Sequence, residues 1–129
     1  THPGESLGRR LLLSVKDEMI TQNLPFVNKN GTMKEVVLKM TESRLGLALI
    51  GNEEKLEGII TDGDLRRSLL MSDDFTKIEI KDILNKSPMT AYENDNLQVA
   101  HERMKEARLQ SLVVKNNDEK IVGVIQIFK

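Results

Sequence analysis

The chain has 129 residues, of which 39% are hydrophobic and 30% are charged, a balance typical of a folded globular protein rather than a disordered one. Its 19 basic and 20 acidic residues give a formal net charge of −1, so no broad positive field exists for nucleic acid or an anionic membrane. The absence of cysteine excludes disulfides, thiolate chemistry and cysteine-based zinc sites. No apolar run approaches the length of a membrane span, and a cytoplasmic location is the simplest interpretation.

The first half of the chain predicts a helical turn, a short strand, a helix, a β-hairpin and a second helix, in that order. Thr32 and Glu35 have the spacing of a capping box, and apolar residues then recur at i, i+3, i+4 and i+7. This period predicts an amphipathic helix over residues 33–43. The other predicted elements are a turn at 17–20, a strand at 24–27, hairpin strands at 47–50 and 56–61, and a helix that opens at Asp62 or Asp64 and carries Leu65, Leu69 and Leu70.

The second half predicts the same elements in the same order. Asp95 or Asn96 caps a helix whose apolar positions are Leu97, Ala100, Met104 and Ala107. The other predicted elements are a turn at 82–85, a strand at 89–92, and hairpin strands at 112–115 and 121–127.

The two halves also match residue by residue, so the chain contains one supersecondary unit twice. The matching pairs include Leu45 with Leu109, Leu49 with Val113, Leu56 with Ile121, Gly58 with Gly123, and Met40 with Met104. We therefore predict an α+β fold of two repeats related by a pseudo-two-fold axis, each a small β-sheet with helices packed on one face. Because a unit of about 60 residues is marginal alone, the two repeats should pack together, with a ligand groove between them.

One motif connects this repeat to a known family. The segment 58–64 reads G-I-I-T-D-G-D at the end of a predicted strand and the start of a helix, and it resembles the signature of the CBS domain. Two copies in tandem resemble the CBS pair, or Bateman module. The longer string TDGDLRR at 61–67 is similar to arabinose-5-phosphate isomerases and capsule-expression sugar-phosphate isomerases, which carry a sugar-isomerase (SIS) domain before a CBS pair. Residues 1–13 resemble the HPGG-x-LGRRLL end of that SIS domain, with Glu5 in place of a glycine.

The resemblance implies a layout and a function. Residues 1–13 would be the C-terminal tail of a preceding SIS domain with its linker, 14–77 the first CBS repeat, and 78–129 a second repeat truncated at its C-terminus. The parent enzyme would interconvert ribulose 5-phosphate and arabinose 5-phosphate for Kdo, capsule or lipopolysaccharide synthesis. This fragment would itself be no enzyme and would require no cofactor.

The fragment's implied role is regulation and assembly. It would bind a nucleotide or nucleotide-sugar effector, such as an adenine nucleotide or CMP-Kdo. It would also form a homodimer through the CBS pair and help to organise a tetramer of the parent enzyme. The alternative is a structural dimerisation module with a vestigial ligand groove. Neither interpretation includes a nucleic-acid or membrane partner.

Thr61 and Asp64 are the first candidate ligand-binding residues, because they stand where a strand ends and a helix begins. Such a junction directs N–H groups and the positive end of the helix dipole outward, which favours a phosphate. In CBS pairs, the residue matching Asp64 typically binds ribose hydroxyls, and the one matching Thr61 lies near phosphate. The alternative is that Asp62 and Asp64 only cap the helix.

Four further residues complete the predicted site. Arg66 and Arg67 lie one turn into the helix and could reach a phosphate, although a solvated helix face is the simpler interpretation. Pro25 and Phe26 lie on the short strand that lines the groove in CBS pairs, where a base could pack. Core packing is the alternative for Phe26.

The second repeat differs at the corresponding positions. Gln126 and Lys129 stand where the first repeat has Thr61 and Asp64, so a ligand should favour the first repeat. 

The two histidines give no metal site in the sequence. His2 matches the active-site histidine of the family's HPGG segment, but we expect it to be disordered and inert without the rest of the SIS domain, so no catalytic residue is assigned. His101 is interpreted as a surface or half-buried structural residue. Arg44 and Arg108 fall at helix C-termini, where the helix dipole accounts for them.

Overall fold

The protein divides into two compact units in a computed structural model that describes residues 12–127. The central unit is Asn23–Pro88, and the terminal unit joins residues 12–22 with residues 89–127. Each unit therefore combines the strands of one repeat with the helical turn that opens the other. The compact units and the sequence repeats 14–77 and 78–129 thus divide the chain at different places. Within residues 12–127, no helix has both the length and the apolar character needed to cross a membrane.

The central unit is a three-stranded sheet with its helices. Its elements are β1 (Phe26–Val27), α1 (Met33–Ser43), β2 (Leu47–Gly51), β3 (Leu56–Thr61), α2 (Asp62–Ser68), a 3₁₀ turn (Phe75–Lys77) and α3 (Ile80–Ile83). The strand order is β1-β2-β3, with β1 parallel to β2 and β2 antiparallel to β3. In this register Leu49 pairs with Phe26 on one side and with Ile59 on the other.

One face of this sheet packs on α1, because alternate strand residues point to the same side. The core cluster is made of apolar side chains from the sheet, from α1 and from the segment before α3: Val27, Ala48, Ile50, Ile60, Met33, Val36, Met40, Ile78 and Ile80. The i, i+3 and i+7 spacing of the three α1 residues is therefore the core-facing stripe that the sequence predicted, except that Val37 is exposed.

The terminal unit repeats this architecture. Its elements are a 3₁₀ turn (Val15–Asp17), β4 (Thr90–Tyr92), α4 (Leu97–Ala107), β5 (Ser111–Lys115) and β6 (Ile121–Gln126). The strand order is β4-β5-β6, with the first pair parallel and the second antiparallel. Its core cluster comprises Val15, Ala91, Leu97, Ala100, Met104, Leu112, Val114 and Ile125. The predicted α+β class, with two small sheets that each carry helices, is confirmed.

In each compact unit, the last strand of the sheet, β3 or β6, also pairs with the helical turn that comes from the other repeat. Ile59 and Asn85 exchange two backbone hydrogen bonds of 3.0 and 2.9 Å in the central unit. Ile20 and Val124 exchange bonds of 2.8 and 3.0 Å in the terminal unit. These bridges hold each helical turn against the edge of a hairpin, which explains why the turns join the opposite repeat's sheet.

Most predicted elements agree with the structure, and the differences lie at element ends. The helix predicted at 33–43 is Met33–Ser43, and the strand predicted at 56–61 is Leu56–Thr61. The helical turns begin at Val15 and Ile80, earlier than predicted, so Asp17 and Asp82 occupy their N3 positions instead of opening them. The Asp17 carboxylate accepts hydrogen bonds from the backbone and hydroxyl of Ser14, which lower its pKa.

The second helix of the first repeat is shorter than predicted. It ends at Ser68, and Leu69 is its C-terminal cap rather than an interior residue. Leu69 and Leu70 are 58% and 88% exposed, so only Leu65 of the three predicted apolar positions packs against the core.

A side-chain hydrogen bond joins β4 to the β5–β6 turn. The Tyr92 hydroxyl donates to the Glu119 carboxylate at 2.6 Å, and Lys115 Nζ lies 3.4 Å from the same carboxylate. This bond stabilises the protonated phenol and the ionised carboxylate, so it raises the pKa of Tyr92 and lowers the pKa of Glu119. Both groups are exposed, and the contact orients the turn more than it stabilises the fold.

Candidate functional site

Thr61 and Asp64 form a reciprocal capping box at the junction of β3 and α2. Thr61 is the N-cap in extended conformation, and its hydroxyl accepts a hydrogen bond from the Asp64 N–H at 3.2 Å. The Asp64 carboxylate in turn accepts one from the Thr61 N–H at 2.9 Å. The cap is therefore Thr61, whereas the sequence predicted Asp62 or Asp64 at that position. Asp64 therefore helps to cap the helix as the N3 residue of the box, which is the structural alternative to ligand binding.

Arg67 occupies the second oxygen of the same carboxylate. Its Nη2 donates to Asp64 Oδ1 at 2.7 Å, while Oδ2 accepts from Thr61. The Arg67 side chain is 70% exposed and the Asp64 side chain 20% exposed, so water competes with this ion pair. Pairs of this kind contribute only about 0–1 kcal/mol to stability.

Arg66 differs from its neighbour. Its side chain is exposed, and it makes no hydrogen bond or ion pair with the part of the chain that the structure describes. Successive helical residues are rotated by about 100°, so the two arginines project in different directions. Arg67 therefore closes over the capping box, while Arg66 extends into solvent.

Pro25 lies at the same end of the sheet as Thr61, whereas Phe26 pairs with Leu49 in the middle of β2. Thr61 pairs with Leu47 at the start of β2, and the Leu49 N–H donates to the Pro25 carbonyl at 2.8 Å at the start of β1. Since β1 and β3 flank β2, Thr61 and Pro25 are separated by two strand spacings, or roughly 10 Å. Pro25 is buried and Phe26 is partly buried. All six predicted ligand-binding residues thus belong to the central unit, with Thr61 and Pro25 at one end of its sheet and Phe26 between that end and the β2–β3 turn.

Phe26 also borders an open hollow that the sequence did not predict. This hollow has a volume of ≈ 370 Å³ and lies beside the β2–β3 turn. Its lining consists of one aromatic and several polar side chains from three short segments: Phe26, Asn28, Lys29, Asn30, Gly51, Asn52, Lys55 and Glu57. The sequence gives no indication that Lys29 and Lys55 border a hollow, because isolated lysines in turns are usually solvated.

The equivalent end of the second sheet has different chemistry. Gln126 is the last residue of β6, pairs with Ser111 and places its Nε2 3.5 Å from the Ser111 hydroxyl. It offers an amide where the first repeat has a hydroxyl N-cap. The predicted counterpart Lys129 and the predicted isomerase histidine His2 lie outside the described residues.

His101, Arg44 and Arg108 occupy the positions that the sequence predicted, a half-buried helix site for His101 and helix C-termini for the two arginines. His101 is half-buried on α4, and its Nε2 is buried without a hydrogen-bond partner. It borders a cavity of ≈ 520 Å³ on the terminal unit. Arg44 and Arg108 are left-handed C-caps with φ of 59° and 58°, and their N–H groups donate to carbonyls of the last helical turn. Within residues 12–127, no group of His, Asp and Glu is arranged to hold a metal ion.

The two small mixed sheets share one architecture, with a short parallel strand, a capped helix and a hairpin, and a Thr-x-x-Asp cap follows the first hairpin. These features define a tandem α+β repeat module. Residues 15–71 and 80–127 match the CBS domain, and the chain belongs to the CBS domain family.

Among curated proteins, the chain is similar in sequence to arabinose 5-phosphate isomerases. The chain is 41% identical over 97% of its length to a probable arabinose 5-phosphate isomerase from Haemophilus influenzae. It is 37% identical over 98% of its length to the arabinose 5-phosphate isomerase KpsF from Escherichia coli. The chain spans 37% and 39%, respectively, of the length of these relatives.

Solved structures with the same fold include nucleotide complexes. A CBS domain protein from Pyrobaculum aerophilum complexed with AMP has a TM-score of 0.77 at 23% identity, covering 88% of this chain and 87% of that one. Another CBS domain pair, in complex with 5′-methylthioadenosine and S-adenosyl-L-methionine, has a TM-score of 0.76 at 22% identity, covering 88% and 89%. At this level of identity, the comparison establishes the fold.

Proposed function

We propose that the chain is the regulatory CBS pair of a cytoplasmic sugar-phosphate isomerase resembling arabinose 5-phosphate isomerase. The observation that carries this proposal is the 41% identity across 97% of the chain to such an isomerase. The parent enzyme would interconvert ribulose 5-phosphate and arabinose 5-phosphate in a SIS domain, for Kdo, capsule or lipopolysaccharide synthesis. The CBS pair would carry no catalytic residue and would need no cofactor.

The proposed effector is a nucleotide or nucleotide sugar held by the central unit. Asp64 supplies a carboxylate, which can accept two hydrogen bonds from a ribose diol, and the exposed Arg66 supplies a cation for a phosphate. The half-buried Phe26 supplies apolar surface for a base, and the buried Pro25 fixes the backbone beside it roughly 10 Å from Thr61, a distance that a nucleotide can span. AMP and S-adenosyl-L-methionine in structural neighbours support adenine nucleotides as first candidates.

Calorimetric titration of the chain with AMP, S-adenosyl-L-methionine and CMP-Kdo tests this proposal. At least one should bind, and Asp64→Asn should weaken that binding by roughly 10–100-fold, because a charged acceptor of the diol is lost. The Asn side-chain oxygen can still accept the Thr61 N–H, so the helix cap is kept.

Asp73→Asn is the matched control, since Asp73 is an exposed carboxylate of the same unit that lies outside the proposed site. It should leave the affinity unchanged. Binding that is insensitive to Asp64→Asn, or no binding by any of the three compounds, would contradict the proposed effector site.

A structural dimerisation module is the second candidate function. The observation that favours it is the exposed apolar segment that follows α2. Leu69, Leu70 and Met71 are 58%, 88% and 61% exposed, and consecutive exposed apolar residues are typical of association surfaces. In this alternative the site at Asp64 is vestigial, and the capping box is its whole role.

Sedimentation velocity tests this second candidate. A dimerisation module should sediment as a dimer without any nucleotide, and Leu70→Ser combined with Met71→Ser should shift the equilibrium at least about 10-fold toward monomer. A monomer at all concentrations would exclude this candidate. Lys81→Ser in the same unit changes an exposed polar residue and should leave the sedimentation coefficient unaltered.

A further inference from the structure

Both oxygens of the Asp64 carboxylate are occupied within the protein itself. Oδ2 accepts the Thr61 N–H at 2.9 Å, and Oδ1 accepts Arg67 Nη2 at 2.7 Å. A ribose diol that binds this carboxylate must therefore share or replace one of these donors. The two donors differ, because the Thr61 N–H is fixed in the backbone, whereas Arg67 is a flexible side chain with 70% exposure. Arg67 is the donor that can leave.

The guanidinium of Arg67 also covers the approach to the carboxylate over Gly63. A Cβ built at Gly63 would lie 3.1 Å from Arg67 Nη1 and 3.4 Å from Nη2. The cation thus lies directly against the backbone of residue 63, in the space that glycine leaves free. Any ligand that approaches Asp64 from this side meets the guanidinium first.

We infer that Arg67 is an exchangeable occupant of Asp64 that makes the site selective for a ribose carrying a phosphate. The inference rests on the proposed effector site and specifies its ligand class. A diol alone must displace Arg67 and leaves the guanidinium without an anion. When a ligand carries both a ribose diol and a phosphate, the diol binds the Asp64 carboxylate and the phosphate binds the released Arg67 guanidinium.

The relative strength of the two ion pairs supports this exchange. The Arg67–Asp64 pair is exposed, and water and salt already compete for it. A phosphate offers the guanidinium a higher charge and a bidentate geometry, which together form a stronger contact. Arg66 projects elsewhere and makes no contact with Asp64, so it cannot couple the diol to the phosphate in the same way.

Titration of the chain with AMP and with adenosine tests the inference, since the two compounds differ only in the phosphate. In the unaltered chain AMP should bind at least ~10-fold more tightly than adenosine. Arg67→Gln should weaken AMP by roughly 10-fold and should tighten adenosine by about 2–4-fold, because the guanidinium no longer holds Asp64 Oδ1. Because the two changes multiply to roughly 20–40-fold, the preference for AMP should be lost or reversed.

Arg66→Gln is the matched control, because it removes the same charge one residue away without changing Asp64. It should weaken AMP by a smaller factor and leave adenosine unchanged. Adenosine binding that is not tightened by Arg67→Gln, or equal effects of the two substitutions, would overturn the inference while the proposed site at Asp64 survives. Failure of AMP to bind the unaltered chain would overturn this inference, and failure of all the tested nucleotides would overturn the proposed effector site as well.

Discussion

Replacing Gly58 with alanine is expected to lower the free energy of unfolding by about 3 kcal/mol or more. A Cβ at this position would overlap the backbone carbonyl oxygen of Asn85 and would lie 2.8 Å from Leu84 Cδ1. The carbonyl cannot move away without breaking the two hydrogen bonds that Asn85 exchanges with Ile59. The substitution should therefore separate the turn after α3 from β3, in addition to straining the strand. Urea unfolding followed by circular dichroism measures the loss.

Gly123→Ala is the matched comparison in the terminal unit. There the Cβ would lie 2.8 Å from the Ile20 carbonyl oxygen and 3.0 Å from atoms of the flexible Met19 side chain. Because this overlap is smaller and one neighbour can rotate, the expected loss is about 1–2 kcal/mol. Equal losses at the two glycines, or a neutral Gly58→Ala, would show that the bridge between Ile59 and Asn85 does not hold the turn in place.

These two glycines also show what the sequence could and could not predict about the fold. Their equivalence was visible because the repeat aligns them, but the alignment does not say what they contact. The period of α1 and the turn residues of the hairpins are local signals, and they predicted those elements nearly to the residue. The partner of Gly58 lies at Asn85, beyond two intervening helices. No local pattern specifies which turn packs on which sheet, so the interleaved compact units were not predicted.

The candidate site was predictable to a similar extent. The junction of a strand and a helix identified Thr61 and Asp64 as candidates, and the sheet register places Pro25, but not Phe26, at the same end of the sheet as Thr61. The i, i+3 spacing of Asp64 and Arg67 was an available signal for their ion pair, but the sequence interpretation treated Arg66 and Arg67 alike. Their difference arises from helix geometry around a glycine, which becomes visible only when side chains are placed.

Ile60→Ala is the substitution expected to destabilise the hydrophobic core of the central unit most directly. Ile60 is fully buried in the cluster between the sheet and α1, and truncation removes three buried carbon atoms. Losses for such substitutions are about 2–5 kcal/mol, depending on how far the surroundings collapse into the cavity. Ile60→Val should cost only about 0.5–1.5 kcal/mol, because it removes a single carbon. Leu70→Ala changes a side chain that is 88% exposed and should stay within about 0.5 kcal/mol.

The equivalent residue of the second repeat allows a comparison of how the two cores relax. Ile125 is 1% exposed and pairs across the hairpin with Leu112, whereas Ile60 pairs with Ala48. A leucine can shift toward a new cavity, but an alanine has no further atoms to place there. Ile125→Ala should therefore fall in the lower half of the 2–5 kcal/mol range and Ile60→Ala in the upper half. Hydrogen exchange measured on β2–β3 and on β5–β6 assigns each loss to its own sheet. The reverse order would show that the cross-strand partner does not control the collapse of the core.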